Sequence, residues 1–321
     1  MKILVLSEEE IAPLLDMEEA ICHVEAAFSA HAKGTIKMPP KVYLDFGIGD
    51  LRVMPAYWPA KKTSSVKIVN SHPKNPSLGL PAVMAATWLM DPTTGEPLAL
   101  IAATALTDIR TGAAGAVAAR HLARKNSATA GLIGCGRQAR TQLSGLRRLF
   151  PIQLVKVAGK NLKESEQFCK TAENNGGLIP VKELAAACDA DIVITTTPSR
   201  SPIVRAGWIR PGTHINAIGA DAPGKQELDS KILENAVIVV DDLTQAVHSG
   251  EVNVPIAKGK ITRNSIHASL GEVIIGKKKG RTSDRQITLF DSTGLAILDL
   301  AIGHLVYQKA ILSGAGRVIS L

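Results

Sequence analysis

The stretch GLIGCGRQART, residues 131–141, decides the fold. Its apolar run breaks at a GxGxxA pattern made by Gly134, Gly136 and Ala139, and a polar, helix-forming segment follows at once. That order predicts a β-strand, a tight turn and a helix whose first backbone amides face a pyrophosphate, which makes Gly134, Gly136, Arg137, Gln138 and Ala139 cofactor-site candidates. An ordinary Gly-rich strand-to-helix turn would read the same way. The TTTPS turn at 195–199 counts against that reading, because it follows the strand-like DIVI run at the edge where open sheets bind ligands.

Working outward, strand-like TAGLIG, VKVAG, LIPV, DIVITTT, THINAIGA, AVIVVDD and ITLFDS alternate with helical QARTQLSGLRRLF, ESEQFCKTAEN (164–174) and KELAAACD. The alternation predicts an α/β fold with a Rossmann-type, doubly wound parallel sheet of six or seven strands, over residues 116–295. The first part of the chain differs. A helix over 16–33 precedes strand-like runs KVYLDF, LRVMPA, SSVKIVN, AVMAATWLM and LALIAA, separated by Pro and Gly turns. The carboxy-terminal helical segment, GLAILDLAIGHLVYQKAILSG, has no partner of its own. It is expected to pack back on the first segment, giving a discontinuous α+β domain of residues 1–115 plus 296–321.

At 321 residues and 45% apolar, the chain can fill two cores without staples. Its four cysteines, Cys22, Cys135, Cys169 and Cys188, show neither CxxC nor zinc spacing, as in a reduced cytoplasmic protein. The histidines form no HxH or HExxH pattern, so no metal is expected; His72 is the one that falls close to a candidate residue, Lys67. No apolar run approaches the ~20 residues of a membrane helix, and the amino terminus lacks a signal peptide. Net charge is +8, but the basic residues are dispersed and aromatic residues make up only 3%. That composition argues against nucleic acid and fits small anionic ligands.

The run VKVAGKN, residues 155–161, ends where NAD sites usually place an acid, about 20 residues beyond the turn. Here the end is Gly159, Lys160 and Asn161. Lys160 and Asn161 can pair with a 2′-phosphate that a carboxylate would repel, so NADP(H) is the preferred cofactor. NAD(H) is the alternative if the lysine is merely solvated. Arg52 in DLRVMP, Lys67 in SVKIVNSHP and Arg110 in TDIRTGAAG each sit in apolar surroundings. Singly each reads as a surface charge; together they read as a grip on a carboxylate plus a proton donor. Asp221, in NAIGADAPGKQELD, falls just past an apolar strand, where a carboxylate can orient ammonia or water.

These motifs occur in an order that resembles the ornithine cyclodeaminase and μ-crystallin family, most closely its archaeal-type alanine dehydrogenase branch. They are MPPKVYL, LRVMP, VKIVNSHPKNP, GLPAVM, TDIRTGAAG, IGCGRQA, TTTPS, INAIGADAPGKQELD and FDSTG. The resemblance covers nearly the whole chain. It implies a homodimer built through the discontinuous domain, with the active site between that domain and the nucleotide domain. It also implies a substrate role for Arg52, Lys67 and Arg110, a catalytic role for Asp221, and dinucleotide contacts from Thr111, Gly134, Gly136, Gln138, Ala139, Thr195, Thr196, Pro198, Ser199 and Asp291. Two departures stand out: Ala82 occupies a position that is usually Thr, and Gly159 replaces the acidic ribose contact. The expected activity is hydride transfer on a small L-amino or imino acid, first of all pyruvate plus ammonia to L-alanine. Reduction of a cyclic imine such as pyrroline-2-carboxylate comes next and ornithine cyclodeamination third. A non-catalytic, crystallin-like binding protein is the reading from another class.

Overall fold

The structure is a computed structural model describing residues 2–172 and 176–320. In chain order the strands are β1 (Lys2–Leu6), β2 (Val42–Asp45), β3 (Asp50–Trp58), β4 (Thr63–Ser71), β5 (Val83–Met90), β6 (Pro97–Ala102), β7 (Thr129–Ile133), β8 (Leu154–Ala158), β9 (Leu178–Pro180), β10 (Ile192–Thr195), β11 (His214–Ala217), β12 (Val237–Val240), β13 (Ile266–Ser269), β14 (Thr288–Asp291) and β15 (Arg317–Ser320). The helices are α1 (Glu8–Ile11), α2 (Met17–Ala32), α3 (Thr104–Leu122), α4 (Arg137–Leu149), α5 (Leu162–Thr171), α6 (Leu184–Cys188), α7 (Ser230–Asn235), α8 (Leu243–Ser249), α9 (Asn253–Ala257), α10 (Leu270–Ile274) and α11 (Ala296–Ser313). Contacts divide the chain into two units, Met1–Arg110 with Leu295–Leu321, and Thr111–Gly294. The first division falls inside α3, five residues before the 115/116 boundary drawn from sequence.

The first unit is built on a seven-stranded sheet of order β15-β1-β6-β5-β4-β3-β2. Period-2 alternation puts Arg52, Met54, Ala56 and Trp58 of β3, and Thr63, Ser65, Lys67 and Val69 of β4, on one buried face. α11 packs on β3, β4 and β5 and against α2. By length and composition α11 could cross a membrane, but most of it is buried in this unit, as a core helix is. Asp16 caps α2 through the Glu19 N–H at 3.0 Å, and Gly314, in the left-handed region, ends α11.

The second unit carries an eight-stranded sheet of order β13-β12-β14-β11-β10-β7-β8-β9. Every neighbouring pair in it is parallel. Both faces are covered, so its strands read as continuous apolar runs. Leu132, Ile192 and Ile194 join Ala139, Leu143, Leu146 and Phe168 in one core, whereas Ile133, Val193 and Ile215 join Leu228, Ile232 and Val252 in the other. Strand order reverses between β7 and β10, the position at which open α/β sheets bind ligands.

The sheet is Rossmann-type, with one strand beyond the expected six or seven, because the short β13, IHAS, gives no apolar signal. β1 and β15 were likewise not expected; they pair with each other at the edge of the first sheet. The helix expected over 164–174 ends at Thr171, and residues 173–175 lie outside the described residues.

Candidate active site

In the first unit, Lys67 points from the middle of β4 into the helix-covered face, where it is 1% exposed. Its Nζ donates to Thr107 Oγ1 at 2.6 Å and to Asp299 Oδ1 at 2.7 Å. Arg110 Nε donates to the same Asp299 oxygen at 3.2 Å. Thr107 and Arg110 are one turn apart on α3, so both reach the same place. Burial pushes the Lys67 ammonium down to about 8, against the opposing pull of Asp299. Burial would raise Asp299, but the Lys67 and Arg110 charges hold its carboxyl below the ordinary value. An ammonium has three donors, so two are engaged here and a third remains for a substrate atom. Arg52 shares the buried face but bonds Asp50 on its own strand, through Nε at 2.8 Å and Nη2 at 3.1 Å. It is thus a cation organised by Asp50 on the same buried face as the cluster.

In the second unit, β7 passes into α4 through Gly134, whose φ of +107° suits glycine alone. A Cβ on Gly134 would lie 2.6 Å from Thr196 Oγ1, so the turn after β7 and the turn after β10 touch at the switch point. Gly136 is the N-cap of α4 and offers no side chain to it, and a Cβ there would meet nothing within 4 Å. The first amides of a 13-residue helix therefore face open space with their partial positive charge. A pyrophosphate fits there. Arg137 is exposed beside it, whereas Ala139 is fully buried in the core and acts through close helix–strand packing. Gln138 follows Arg137 in the first turn, half-buried, and Thr111 is buried, its carbonyl accepting from Gln142 Nε2 at 2.7 Å.

The end of β8 departs from expectation. Asn161 caps α5, its Oδ1 accepting the Glu164 N–H at 3.0 Å, so that oxygen is committed locally. Glu164 folds back, and its Oε2 accepts the Lys160 N–H at 2.7 Å. A Cβ on Gly159 would lie 2.9 Å from that same carboxylate oxygen. An acid thus stands at the end of β8 after all, supplied from α5 five positions further on. Lys160 is exposed.

Three buried carboxylates hold the loops at the carboxyl edge. Glu227 accepts from Thr195 Oγ1, Thr197 N, Thr197 Oγ1 and Gly219 N, at 2.6 to 2.9 Å. Glu251 accepts from the Glu227 and Leu228 N–H groups, and Asp291 from those of Glu251 and Val252. Burial pushes Asp291 up to about 8 and raises Glu227; Glu251 rises further through burial and the Glu227 charge. Of the expected cofactor contacts, Asp291 is fully buried with both oxygens on backbone amides, and Thr195 is fully buried with its hydroxyl on Glu227, so these side chains brace the loops at the carboxyl edge. Thr196 and Ser199 are half-buried and Pro198 exposed along the same turn. Asp221 lies in the loop after β11, in a 2.5 Å ion pair with Lys225.

Sequence reasoning missed Asp299, Glu164 and Glu227. Asp299 offered one signal: it is the lone acid in the apolar stretch of α11. Glu164 and Glu227 look like surface acids in sequence. Among the described residues no cluster of His, Cys, Asp and Glu could hold a metal ion.

Sheet order and the uncapped turn at the switch point make this a Rossmann-type α/β protein. The sequence profile of the ornithine cyclodeaminase/mu-crystallin family matches residues 1–314, and the chain belongs to that family. An alanine dehydrogenase of Archaeoglobus fulgidus is 52% identical over 319 residues, covering 99% of this chain and 98% of its own. Among solved structures, an archaeal alanine dehydrogenase dimer with bound NAD matches with a TM-score of 0.97 and 51% identity, covering 100% of both chains. The Δ1-pyrroline-2-carboxylate reductase of Thermococcus litoralis, in complex with NADH and L-proline, matches with a TM-score of 0.95 and 38% identity, covering 98% of this chain and 99% of that one.

Proposed function

We propose that the chain is a nicotinamide-dinucleotide-dependent oxidoreductase acting on the CH–NH2/C=N group of a small L-amino or imino acid, with pyruvate and ammonia going to L-alanine as its leading reaction. The observation that carries this reading is the Lys67–Asp299–Arg110 cluster, a desolvated proton donor beside a carboxylate-binding cation. The resemblance to alanine dehydrogenases at about half identity supports it.

The uncapped α4 start, with Gly134, Gly136, Arg137 and Gln138, would hold the pyrophosphate, and Thr196, Pro198 and Ser199 would border the same crevice. Bound there, the reduced nicotinamide supplies the hydride for substrate Cα. Arg110, with Arg52 on the same face of its unit, would fix the substrate carboxylate and so the position of Cα. Lys67 donates the proton needed at oxygen or nitrogen as water leaves and the amine forms. Asp221 orients ammonia or water from the loop after β11.

For the cofactor, Glu164 changes the preference drawn from sequence. Its carboxylate accepts the Lys160 amide at the end of β8, and a negative charge there would repel a 2′-phosphate bound beside it. We therefore put NAD(H) ahead of NADP(H), in keeping with the NAD and NADH of the matched structures.

Reduction of pyrroline-2-carboxylate is the second reading, favoured by the Thermococcus litoralis match. Cyclodeamination of ornithine falls behind, since the buried acid of the cluster, Asp299, is already engaged by Lys67 and Arg110 and leaves little for a second ammonium. A crystallin-like binding protein would not need a desolvated lysine. We also propose a homodimer. Val42, Leu44 and Phe46 along the edge strand β2 and its turn, with Ile68 of the open sheet face, are exposed apolar side chains of the kind an interface covers; the matched archaeal alanine dehydrogenase is a dimer.

Steady-state assays of pyruvate with ammonia and of pyrroline-2-carboxylate, each with NADH and NADPH, test the reading. Turnover of pyruvate with ammonia above that of the cyclic imine is expected; turnover of neither overturns it.

A further inference from the structure

We propose that Asp299 is the positioning residue of this site, holding Lys67 and Arg110 as one preassembled pair for the substrate. The proposal rests on the reading that Lys67 and Arg110 carry the reaction. Asp299 lies in the first turn of α11, fully buried, and one oxygen, Oδ1, takes both cations, at 2.7 and 3.2 Å. The other oxygen, Oδ2, is buried and has no hydrogen-bond partner among the described residues.

A structural bridge would be built differently. Burying charges costs several kcal/mol per ion, and an apolar replacement of a buried ion pair is often neutral or stabilising. α11 is buried and apolar all round at this level, with Ile297, Leu298, Leu300, Ala301 and Ile302 flanking Asp299 in the chain, so packing alone could fix the helix. What an apolar residue could not do is bring a lysine on β4 and an arginine on α3 to a single point. The shared oxygen fixes the separation of a proton donor from a carboxylate grip, which is what a small 2-imino acid demands of the two groups.

The groups facing Lys67 are Asp299 from α11 and Thr107, Asp108 and Arg110 from α3; Lys41 acts on Asp299. Asp299 is the acid bonded to it, and it opposes the lowering by burial. Neutralising Asp299 therefore favours loss of the Lys67 proton.

The test is Asp299→Asn, nearly isosteric and uncharged, assayed for kcat and KM in the reductive direction across pH 6–10, with NADH affinity and thermal unfolding measured alongside. We expect kcat to fall on the order of 10²-fold, the scale of an ångström-sized misplacement. We expect the alkaline limb to move down by about one pH unit or more and NADH affinity to be unchanged. An altered melting temperature with kcat and pH limb as in the parent would overturn the proposal and leave a structural bridge. If the Asn variant does not fold, Asp299→Glu carries the test: it keeps the charge and displaces it, so kcat should fall while the limb stays, and an unchanged kcat overturns the proposal. A parent enzyme without turnover on either substrate is the separate failure of the functional reading.

Discussion

Lys67 Nζ lies 2.7 Å from Asp299 Oδ1, although the two residues are 232 positions apart in the chain. Burial brings the lysine down to about 8, so its proton is exchangeable in the working range. As an acid it must be protonated in reductive amination and deprotonated in oxidation. The reductive kcat/KM is therefore expected to fall as pH rises through about 8, and the oxidative value to rise through the same pH. Pre-steady-state or isotope-sensitive rates in both directions check this; limbs that do not mirror each other remove Lys67 as the proton donor. Lys67→Met should lower kcat by roughly 10²-fold or more in both directions.

Glu164→Gln removes the charge at the end of β8 and keeps the shape of the α5 start. The NADPH to NADH ratio of kcat/KM is expected to rise roughly tenfold or more, because a carboxylate and a 2′-phosphate a few ångströms apart repel by kcal/mol. Lys160→Ala should then weaken NADPH more than NADH in that variant. An unchanged ratio in Glu164→Gln assigns the preference elsewhere.

Gly134→Ala sets a Cβ 2.6 Å from Thr196 Oγ1 on a backbone with φ of +107°. A loss of about 1–3 kcal/mol in stability is expected from the strain, together with weaker dinucleotide binding, by urea titration and fluorescence. Stability and affinity equal to the parent's would mean that the turn relaxes at no cost.

His214 is fully buried on β11, its ring nitrogens on Thr288 Oγ1 and Asn216 Oδ1 at 3.0 and 2.9 Å. Burial, aided by the Arg281 charge, pushes it from the ordinary 6.5 down to about 3. The unfolded chain takes up a proton below 6.5 while the folded one does not. Stability from this group is thus full above 6.5 and is lost as pH falls toward 3, at up to about 1.4 kcal/mol per unit. His214→Gln is expected to lose less stability than the parent between pH 7 and 4.5, in urea midpoints; equal losses would show that the ring titrates in the fold.

The homodimer can be broken at its proposed face. Ile68→Glu combined with Leu44→Glu, both exposed in the single chain, is expected to give a folded monomer by light scattering. A dimer of unchanged dissociation constant would move the interface elsewhere.

The parallel sheet was legible because a strand covered on both faces is rich in apolar residues, as in β10 (IVIT) and β12 (VIVV). β13 and β15 were not, since IHAS mixes polar with apolar residues and RVIS is exposed along its whole length at the edge of its sheet. Lys67, Arg52 and Arg110 could be picked out as charges in apolar company, but what each of them bonds could not. Arg52 turned to Asp50 on its own strand, and the shared partner of the other two sits near the far end of the chain. Asp291, a cofactor contact implied by the resemblance, holds backbone amides with its side chain, and Glu164, which sequence reasoning passed over, reaches the end of β8. Periodicity reports which face a residue occupies, and a buried carboxylate's partners depend on distant loops that periodicity does not encode.

The placement of α11 sets an order of events at the ribosome. Thr111–Gly294 is an uninterrupted segment and has all its strands as soon as it emerges, but the earlier unit lacks its core helix until Leu295–Leu321 has been made. Until then, Lys67 has a position on a sheet but not the acid it bonds, Asp299. The first-made unit can close only once Leu295–Leu321 has been made, so a chain released before that point would hold a complete nucleotide fold and a lysine without its Asp299 partner.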